Sequence, residues 1–233
     1  MSSFIQSVTF IFVRHGETDW NVARRFQGHV DIPLNKNGIA QAICVAKKLS
    51  KSHPDITAIY SSDLLRAKET ALYFAEEFAL PIKTQSAFRE SRGGMAEGMA
   101  LVELEAKYIE KWKSLAIQYP DRRQRWNYTP VPGQETINEQ IIRIKEAIVS
   151  IVKECSDKKV VVFTHGAILK SFIAYLKGVE RDSVIALPNC SILEVLVTRC
   201  GEDSLFKLIK IEAEIEPVSE ILSHGPLKSC LTI

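Results

Sequence analysis

Two short segments of the chain share one design, in which an apolar run ends directly in a histidine followed by a glycine. The first segment is IFVRHGE, which contains His15, and the second is VVFTHGA, which contains His165. Short apolar runs bounded by polar residues are typical of buried strands. Side chains at the carboxyl ends of parallel strands point into the crevice beyond the sheet. The shared design therefore predicts two buried parallel strands that bring both imidazoles to one site.

The rest of the chain alternates between strand and helix patterns. Strands are predicted at 8–13, 56–60, 160–163, 192–197 and 205–211, and helices at 37–50, 64–78, 101–119, 136–155 and 167–176. A cap from 61–63 is predicted to start the second helix, and the last two strands are expected to be neighbours across the turn 201–204. This alternation predicts an α/β fold, a three-layer sandwich with a mainly parallel central sheet covered on both faces.

The 233 residues, 46% of them hydrophobic and 25% charged, suffice for one large core. We predict a single domain over 1–233, because no long linker or internal repeat interrupts the pattern. The segment 119–133 is rich in loop-forming residues and is interpreted as an insertion beside the sheet. The segment 217–233 has weak periodicity and is interpreted as a C-terminal appendage.

Composition argues against several classes of partner. The formal net charge of +2 gives no bulk attraction for nucleic acid, and no apolar run approaches the roughly 20 residues of a membrane helix. Five scattered cysteines without a CxxC pair favour a reducing compartment over a disulfide framework or a zinc ribbon. A soluble, cytoplasmic protein is expected. The C-terminal Cys230 loosely fits a C-a-a-X lipidation pattern, but no basic segment precedes it, so membrane attachment is not expected.

Four basic side chains could form a phosphate pocket with one acid. Arg14 ends a predicted buried strand, where a guanidinium must be paired or bound to an anion, and Arg66 begins a helix that follows a strand. Taken singly, each of these residues has an ordinary structural interpretation as a packed or solvated group. Together with His15 and His165 they would bind a phosphoryl group. Glu90, in a loop flanked by glycines, is the best candidate for the proton donor that a leaving alkoxide needs.

At this point the motifs resemble those of the histidine phosphatase superfamily, the phosphoglycerate mutase-like proteins. VRHGETDWN looks like its signature, and the segments that follow in the same order are RFQGHVDIPLNKNGIAQA, YSSDLLRAKETA, FRESRGGMAEG, PGQET, FTHGAILKSF and LPNCSI. These matches extend from about residue 8 to about residue 198. A lone RHG is a weak signal, whereas this many motifs in order are specific.

The resemblance implies the family's sandwich fold and a role for each matching residue. His15 would become phosphohistidine, and Arg14, Arg66 and His165 would bind the transferred phosphoryl group. Glu90 would act as proton donor and then as base. Contacts to the substrate would also come from Asn21 and Gly166. Arg92, which departs from the family pattern, would add positive charge beside the site as a further substrate contact. No metal is implied, because fixed cations do the electrostatic work in this family. Gly16 is interpreted as the residue that lets the phosphoryl group approach the backbone.

The departures from the family pattern bear on the reaction. Family phosphatases usually carry an aromatic and an acidic residue after the acid, where this chain has Ser91 and Arg92. Cofactor-dependent mutases carry a tyrosine at the position of Gly93 and a long insertion that this chain does not match closely. The pattern therefore favours a phosphomonoesterase, a hydrolase that needs no cofactor, over a mutase.

Several alternatives stay open. A mutase, an isomerase, would require 2,3-bisphosphoglycerate, and an inactive phosphate-binding module would need neither nucleophile nor acid. The loop residues Arg122, Arg123 and Arg125 either bind a second anionic group of the substrate or form a solvated basic loop. The particular small phosphorylated substrate and the oligomeric state are not predicted.

Overall fold

The computed structural model describes residues 5–154 and 158–213. Its six strands are β1 (Ile5–Arg14), β2 (Ile56–Ser61), β3 (Ile82–Thr84), β4 (Lys158–Thr164), β5 (Ile192–Cys200) and β6 (Asp203–Glu212). They form one sheet in the order β3-β2-β4-β1-β5-β6. The first four strands pair in parallel, whereas β5 runs antiparallel to both β1 and β6. The sheet is therefore mainly parallel with an antiparallel edge, as the sequence predicts.

The helices are α1 (Asp19–Val22), α2 (Lys36–Ser52), α3 (Leu65–Phe78), α4 (Leu101–Gln118), α5 (Arg122–Arg125), α6 (Ile137–Glu154) and α7 (Gly166–Lys177). Single turns of 3-10 helix occur at Ser86–Phe88, Gly94–Ala96 and Arg181–Ser183. Within 5–154 and 158–213, no helix is both long and apolar enough to cross a bilayer.

Strand β1 is buried on both faces, which explains its continuous apolar sequence. Phe10 and Phe12 pack into a core cluster with residues of α6 and α7. Their neighbours Ile11 and Val13 point the opposite way, into a second cluster with residues of α2 and α3. Alternate side chains of a strand face opposite sides, so a central strand between two helical layers must be apolar throughout. The three-layer sandwich is confirmed.

Each predicted strand and helix occurs in the structure within a few residues of its predicted bounds. Three short elements, β3, α1 and α5, were not predicted. The predicted cap of α3 is wrong, because Leu64 takes the N-cap position without a side-chain hydrogen bond. The Ser62 hydroxyl instead accepts from the Leu64 backbone N–H at 3.2 Å. Both the predicted appendage 217–233 and Cys230 lie outside the described residues.

The segment predicted to be an irregular insertion contributes to the core. It contains α5, and its Trp126 is buried in the cluster beneath α6 and α7. Val131 packs in a smaller cluster with Ala96 and Tyr108 of the region before and within α4. The segment thereby joins α4 to the main body, and its interpretation as an insertion stays a prediction.

Candidate active site

His15 and His165 lie side by side because of the pairing between β1 and β4. The parallel register aligns Arg14 with Thr164, so each histidine is the first residue beyond its strand. The backbone N–H of His15 donates to the Thr164 carbonyl at 2.9 Å. The ring centroids are 5.1 Å apart, and the residues are 2% and 0% exposed. The structure thus brings both imidazoles into one buried site.

The hydrogen bonding of His15 determines which ring nitrogen is free. Its Nδ1 lies 2.7 Å from the carbonyl oxygen of Gly16. Because a carbonyl oxygen only accepts, Nδ1 carries the proton and Nε2 keeps its lone pair. Burial lowers the pKa of His15 well below its ordinary value, and the nearby Arg66 and Arg14 guanidiniums lower it further. His15 therefore presents a neutral, nucleophilic Nε2 at neutral pH.

Arg66 is fully buried and is held by carbonyl groups rather than by a carboxylate. Its Nη1 donates to the Val30 carbonyl at 2.9 Å, and its Nη2 donates to the Gly28 carbonyl at 2.8 Å. Burial lowers its pKa to about 10, which still leaves it charged at neutral pH. Arg14 similarly donates from Nη1 to the Leu187 carbonyl. Neutral partners fix both cations in place without cancelling their charge.

Four buried nitrogen atoms at the site have no hydrogen-bond partner among residues 5–154 and 158–213. They are Nε of Arg14, Nε of Arg66, and both ring nitrogens of His165. Burial, Arg66 and His15 lower the pKa of His165 well below its ordinary value, so its ring is neutral. Leaving a buried polar group unpaired costs about 1–3 kcal/mol. Such a concentration of unused nitrogens beside two guanidiniums indicates a site built for an anion.

The loop that carries Glu90 is fixed to the end of β4 and to a side chain within α6. The Thr164 hydroxyl donates to the Phe88 carbonyl at 2.7 Å. Arg143, on α6, donates to the carbonyls of Arg89 at 2.9 Å and Glu90 at 3.1 Å. Arg143 has no conspicuous sequence signal, because a cation on an amphipathic helix is usually solvated. These bonds hold the backbone of Glu90 against the histidine site.

The Glu90 carboxylate caps helix α7, a role that was not predicted. Its Oε2 accepts from the Ala167 N–H at 3.0 Å, and its Oε1 accepts from the N–H groups of Ile168 at 3.0 Å and Ser91 at 2.8 Å. A negative charge at a helix N-terminus is stabilising. Since Gly166 follows His165 directly, the same carboxylate lies beside the second histidine.

Asn21 and Gly166 lie at the site, and Arg92 follows Glu90 by two residues with an exposed side chain. Asn21 Oδ1 accepts from the side chain of Asn189 at 3.3 Å, and Asn189 also donates to the His15 carbonyl at 2.9 Å. A Cβ on Gly166 would lie 3.1 Å from Arg14 Nε, so glycine makes room for that guanidinium. Arg92 is exposed, and its charge acts on Glu139 of α6. The contact of Arg92 with the substrate stays a prediction.

Gly16 has a structural role that was not predicted. A Cβ at this position would lie 2.4 Å from the backbone oxygen of Gly38, in the first turn of α2. The Gly16 N–H also donates to the Thr70 hydroxyl at 3.0 Å. Glycine is thus required by the close approach of two backbone segments. No substrate is needed to explain it.

The loop arginines differ from one another. Arg125 pairs with Glu180 at 2.8 Å, which accounts for its charge structurally. Arg123 is exposed beside Trp126 and Val179. The side chain of Arg122 lies outside the described part of the chain. Within that part, no group of three or more histidine, cysteine, aspartate or glutamate residues is arranged to hold a metal ion.

Comparisons with known proteins agree with this geometry. The family model described as histidine phosphatase superfamily (branch 1) matches residues 10–207. The chain is 32% identical to a metal-independent phosphoserine phosphatase of Arabidopsis thaliana, over 78% of the chain and 73% of that protein. It is 33% identical to a probable phosphoglycerate mutase GpmB of Serratia proteamaculans, over 78% of the chain and 82% of that protein. A solved structure titled mycobacterial hydrolase 2 shares the fold, with a TM-score of 0.79 and 23% identity over 94% of the chain and 96% of that structure.

Proposed function

The chain belongs to the histidine phosphatase superfamily, and we propose that it is a metal-independent phosphatase that hydrolyses a small phosphorylated metabolite through a phosphohistidine on His15. The observation that carries the proposal is the state of His15. Its ring is neutral, and its Nδ1 is bound to the Gly16 carbonyl, so Nε2 is available beside two fixed guanidiniums. A nucleophile next to unneutralised cations suits attack on a phosphate dianion.

In the first step, Nε2 of His15 attacks phosphorus, and the bond from phosphorus to the ester oxygen breaks. Arg14 and Arg66 offset the charge on the phosphoryl oxygens. The leaving oxygen needs a proton, which Glu90 supplies. A carboxyl group has about four lone-pair positions. Oε1 of Glu90 already accepts two backbone N–H groups and Oε2 accepts one, so Oε2 is the oxygen with a position left for the proton.

In the second step, a water molecule attacks the phosphorus of phosphohistidine. The Glu90 carboxylate, now without its proton, accepts one from this water. The bond from phosphorus to Nε2 breaks, inorganic phosphate leaves, and His15 returns to its neutral form. The protons balance over the cycle, because Glu90 gives one proton to the alcohol and takes one from water.

The charges already present support the metal independence that we propose. In phosphoryl transfer the catalyst must stabilise the negative charge of the transferred group. Here the two buried guanidiniums can do so from fixed positions. The name of the Arabidopsis relative supports this part of the proposal. The described cysteines Cys44, Cys190 and Cys200 are free thiols, which supports a cytoplasmic location.

A phosphoglycerate mutase is the second candidate, because the Serratia relative carries that name. A mutase would use the same phosphohistidine but return the phosphoryl group to the substrate. It would depend on 2,3-bisphosphoglycerate and would isomerise 3-phosphoglycerate without releasing phosphate. Measuring inorganic phosphate with and without 2,3-bisphosphoglycerate separates the two reactions.

The experiment that tests the proposal is phosphoryl labelling. Purified protein is incubated with metabolite monoesters labelled with ³²P, in the presence of a metal chelator, and is then denatured and counted. We expect an acid-labile label on the native protein and no label on His15→Ala. The control His53→Ala, which changes a histidine that pairs with Glu194 outside the site, is expected to label normally. Labelling of His15→Ala, or binding of esters by native protein without any turnover, would overturn the proposal.

A further inference from the structure

Arg181, like Arg143, is an arginine near the site that the sequence did not single out. It lies in the 3-10 turn Arg181–Ser183, shortly after α7. Its Nε donates to the Ser171 hydroxyl at 3.0 Å. Across residues 5–154 and 158–213, no group accepts a hydrogen bond from its two Nη atoms, and the adjacent Asp182 forms no ion pair with it. Arg181 is thus half-buried, with its Nε fixed by Ser171 and its two Nη atoms without an acceptor among the described residues.

A chain of buried polar side chains fixes the position of Arg181. Gln140 donates from Nε2 to the Ser91 hydroxyl at 2.9 Å and accepts at Oε1 from the Ser171 hydroxyl at 2.8 Å. The oxygen of Ser171 then accepts from Arg181 Nε. Ser91, Gln140 and Ser171 are each at most 3% exposed. Buried polar networks specify one geometry at the cost of desolvation, so this one sets the direction of the guanidinium.

The chain leads from Arg181 directly to the catalytic loop, because Ser91 follows Glu90. Burial lowers the pKa values of Arg181, Arg14 and Arg66, and the negative charge of Glu90 offsets part of that decrease in each of them. One carboxylate therefore lies among three guanidiniums, and its oxygens already accept three backbone N–H groups. None of these contacts engages the Nη groups of Arg181.

We propose that Arg181 binds a carboxylate of the substrate, so that the preferred substrates are phosphate monoesters of small carboxylic acids. This inference rests on the proposed function and names its substrate class. The two free Nη groups form the fork that matches a planar carboxylate. A second phosphate fits less well, because its extra negative charge would meet both Asp182 and Glu90.

Two substrates that differ only in a carboxylate provide the test. O-phosphoserine and O-phosphoethanolamine share the ester and the amine, and only the first carries a carboxylate. We expect the native enzyme to prefer phosphoserine in kcat/KM. In Arg181→Gln, kcat/KM for phosphoserine is expected to fall about 10- to 100-fold, because a charge-assisted hydrogen bond is lost. We expect kcat/KM for phosphoethanolamine to change less than about threefold. The pair 3-phosphoglycerate and glycerol 3-phosphate repeats the comparison on another skeleton.

Further variants keep the test informative if Arg181→Gln folds poorly. Arg181→Lys keeps the charge but not the fork, and we expect it to recover part of the preference. Ser171→Ala removes the acceptor that positions Nε, so the preference for phosphoserine over phosphoethanolamine in kcat/KM is expected to narrow. Exposed Lys177→Gln, at the far end of α7, is the matched control for loss of a cation.

The possible outcomes separate this inference from the proposed function. If native enzyme has the same kcat/KM for phosphoserine and phosphoethanolamine, the carboxylate assignment is wrong and the phosphatase proposal stands. The same holds if Arg181→Gln lowers kcat/KM by the same factor for both esters. If no ester is turned over and His15 is never labelled, the proposed function is wrong. In that case calorimetric affinities of phosphoserine and phosphoethanolamine for native protein and Arg181→Gln still decide the assignment, because equal affinities would refute it.

Discussion

Replacing Glu90 with glutamine separates the two roles that the structure and the mechanism give to this side chain. As a carboxylate it caps α7 through the N–H groups of Ala167 and Ile168, at 3.0 Å each. As the proposed acid it gives a proton to the leaving oxygen. Glutamine has nearly the same shape, but it has no transferable proton and carries an NH₂ group in place of one oxygen.

The structural cost follows from the hydrogen bonds. The amide oxygen of glutamine can replace Oε1, which accepts from Ser91 and Ile168. Its NH₂ group would then face the Ala167 N–H, so one donor loses its acceptor, at about 1–3 kcal/mol. Loss of the negative charge at the helix N-terminus adds about 0.3–1 kcal/mol. We expect the free energy of unfolding to fall by about 1–4 kcal/mol, which corresponds to a Tm lower by roughly 2–16 °C.

The catalytic cost depends on the leaving group. An alkyl alcohol needs a proton to leave, so kcat for phosphoserine is expected to fall about 100- to 10,000-fold in Glu90→Gln. p-Nitrophenolate is a stable anion that leaves without a proton, so the first step on p-nitrophenyl phosphate is expected to be far less affected. Burst kinetics at a temperature where the variant is folded measure that step. Glu139→Gln, which alters an exposed capping carboxylate on α6, serves as the matched control.

One result would refute the reasoning about Glu90. If the burst rates on phosphoserine and p-nitrophenyl phosphate fall by the same factor, the side chain acts only by holding α7 and the loop in place. If the Tm is unchanged while the rate falls on phosphoserine and not on p-nitrophenyl phosphate, the expected contribution of Glu90 to the free energy of unfolding is wrong instead. The two readouts therefore test the two roles independently.

Three further predictions follow from the same site. In Arg66→Lys, a single ammonium replaces a guanidinium that binds two carbonyls and keeps Nε free for the phosphoryl group. Because one ammonium cannot make all of these contacts, kcat/KM in steady-state assays is expected to fall about 100- to 1,000-fold. Gly16→Ala places a Cβ against the Gly38 oxygen, so urea unfolding is expected to show a loss of about 1–3 kcal/mol. Unfolding free energy is expected to fall as the pH drops below about 6.5, because the unfolded chain protonates His15 and His165 whereas the folded protein keeps them neutral. The slope reaches about 1.4 kcal/mol per pH unit for each histidine, and His165→Asn should reduce it.

The sequence was most informative where one local pattern decided the geometry. The run before His15 had to be a central strand because consecutive residues such as Ile11 and Phe12, which face opposite sides of the sheet, are both apolar and both buried. The run before His165 is equally apolar, and parallel pairing of the two strands aligns their ends. From these facts alone the meeting of the two imidazoles could be predicted.

The sequence was less informative where contacts join distant segments. Gly16 is required by Gly38, 22 residues away, and no local pattern reports a contact between two backbones. Arg181 looks like a solvated charge until Ser171 and Gln140 are found beneath it. Asn189 stands in a motif that the resemblance singled out, so its place beside the site could have been inferred.

The charges of the site connect the mechanism with the proposed substrate. Arg14, Arg66 and Arg181 carry three positive charges, and both imidazoles are neutral. A phosphate dianion and a carboxylate together carry three negative charges, which match the three guanidiniums. A substrate without the carboxylate leaves the Nη groups of Arg181 without a partner. On this argument a substrate carboxylate improves binding through Arg181, whereas Arg14 and Arg66 would bind the phosphoryl group of either substrate.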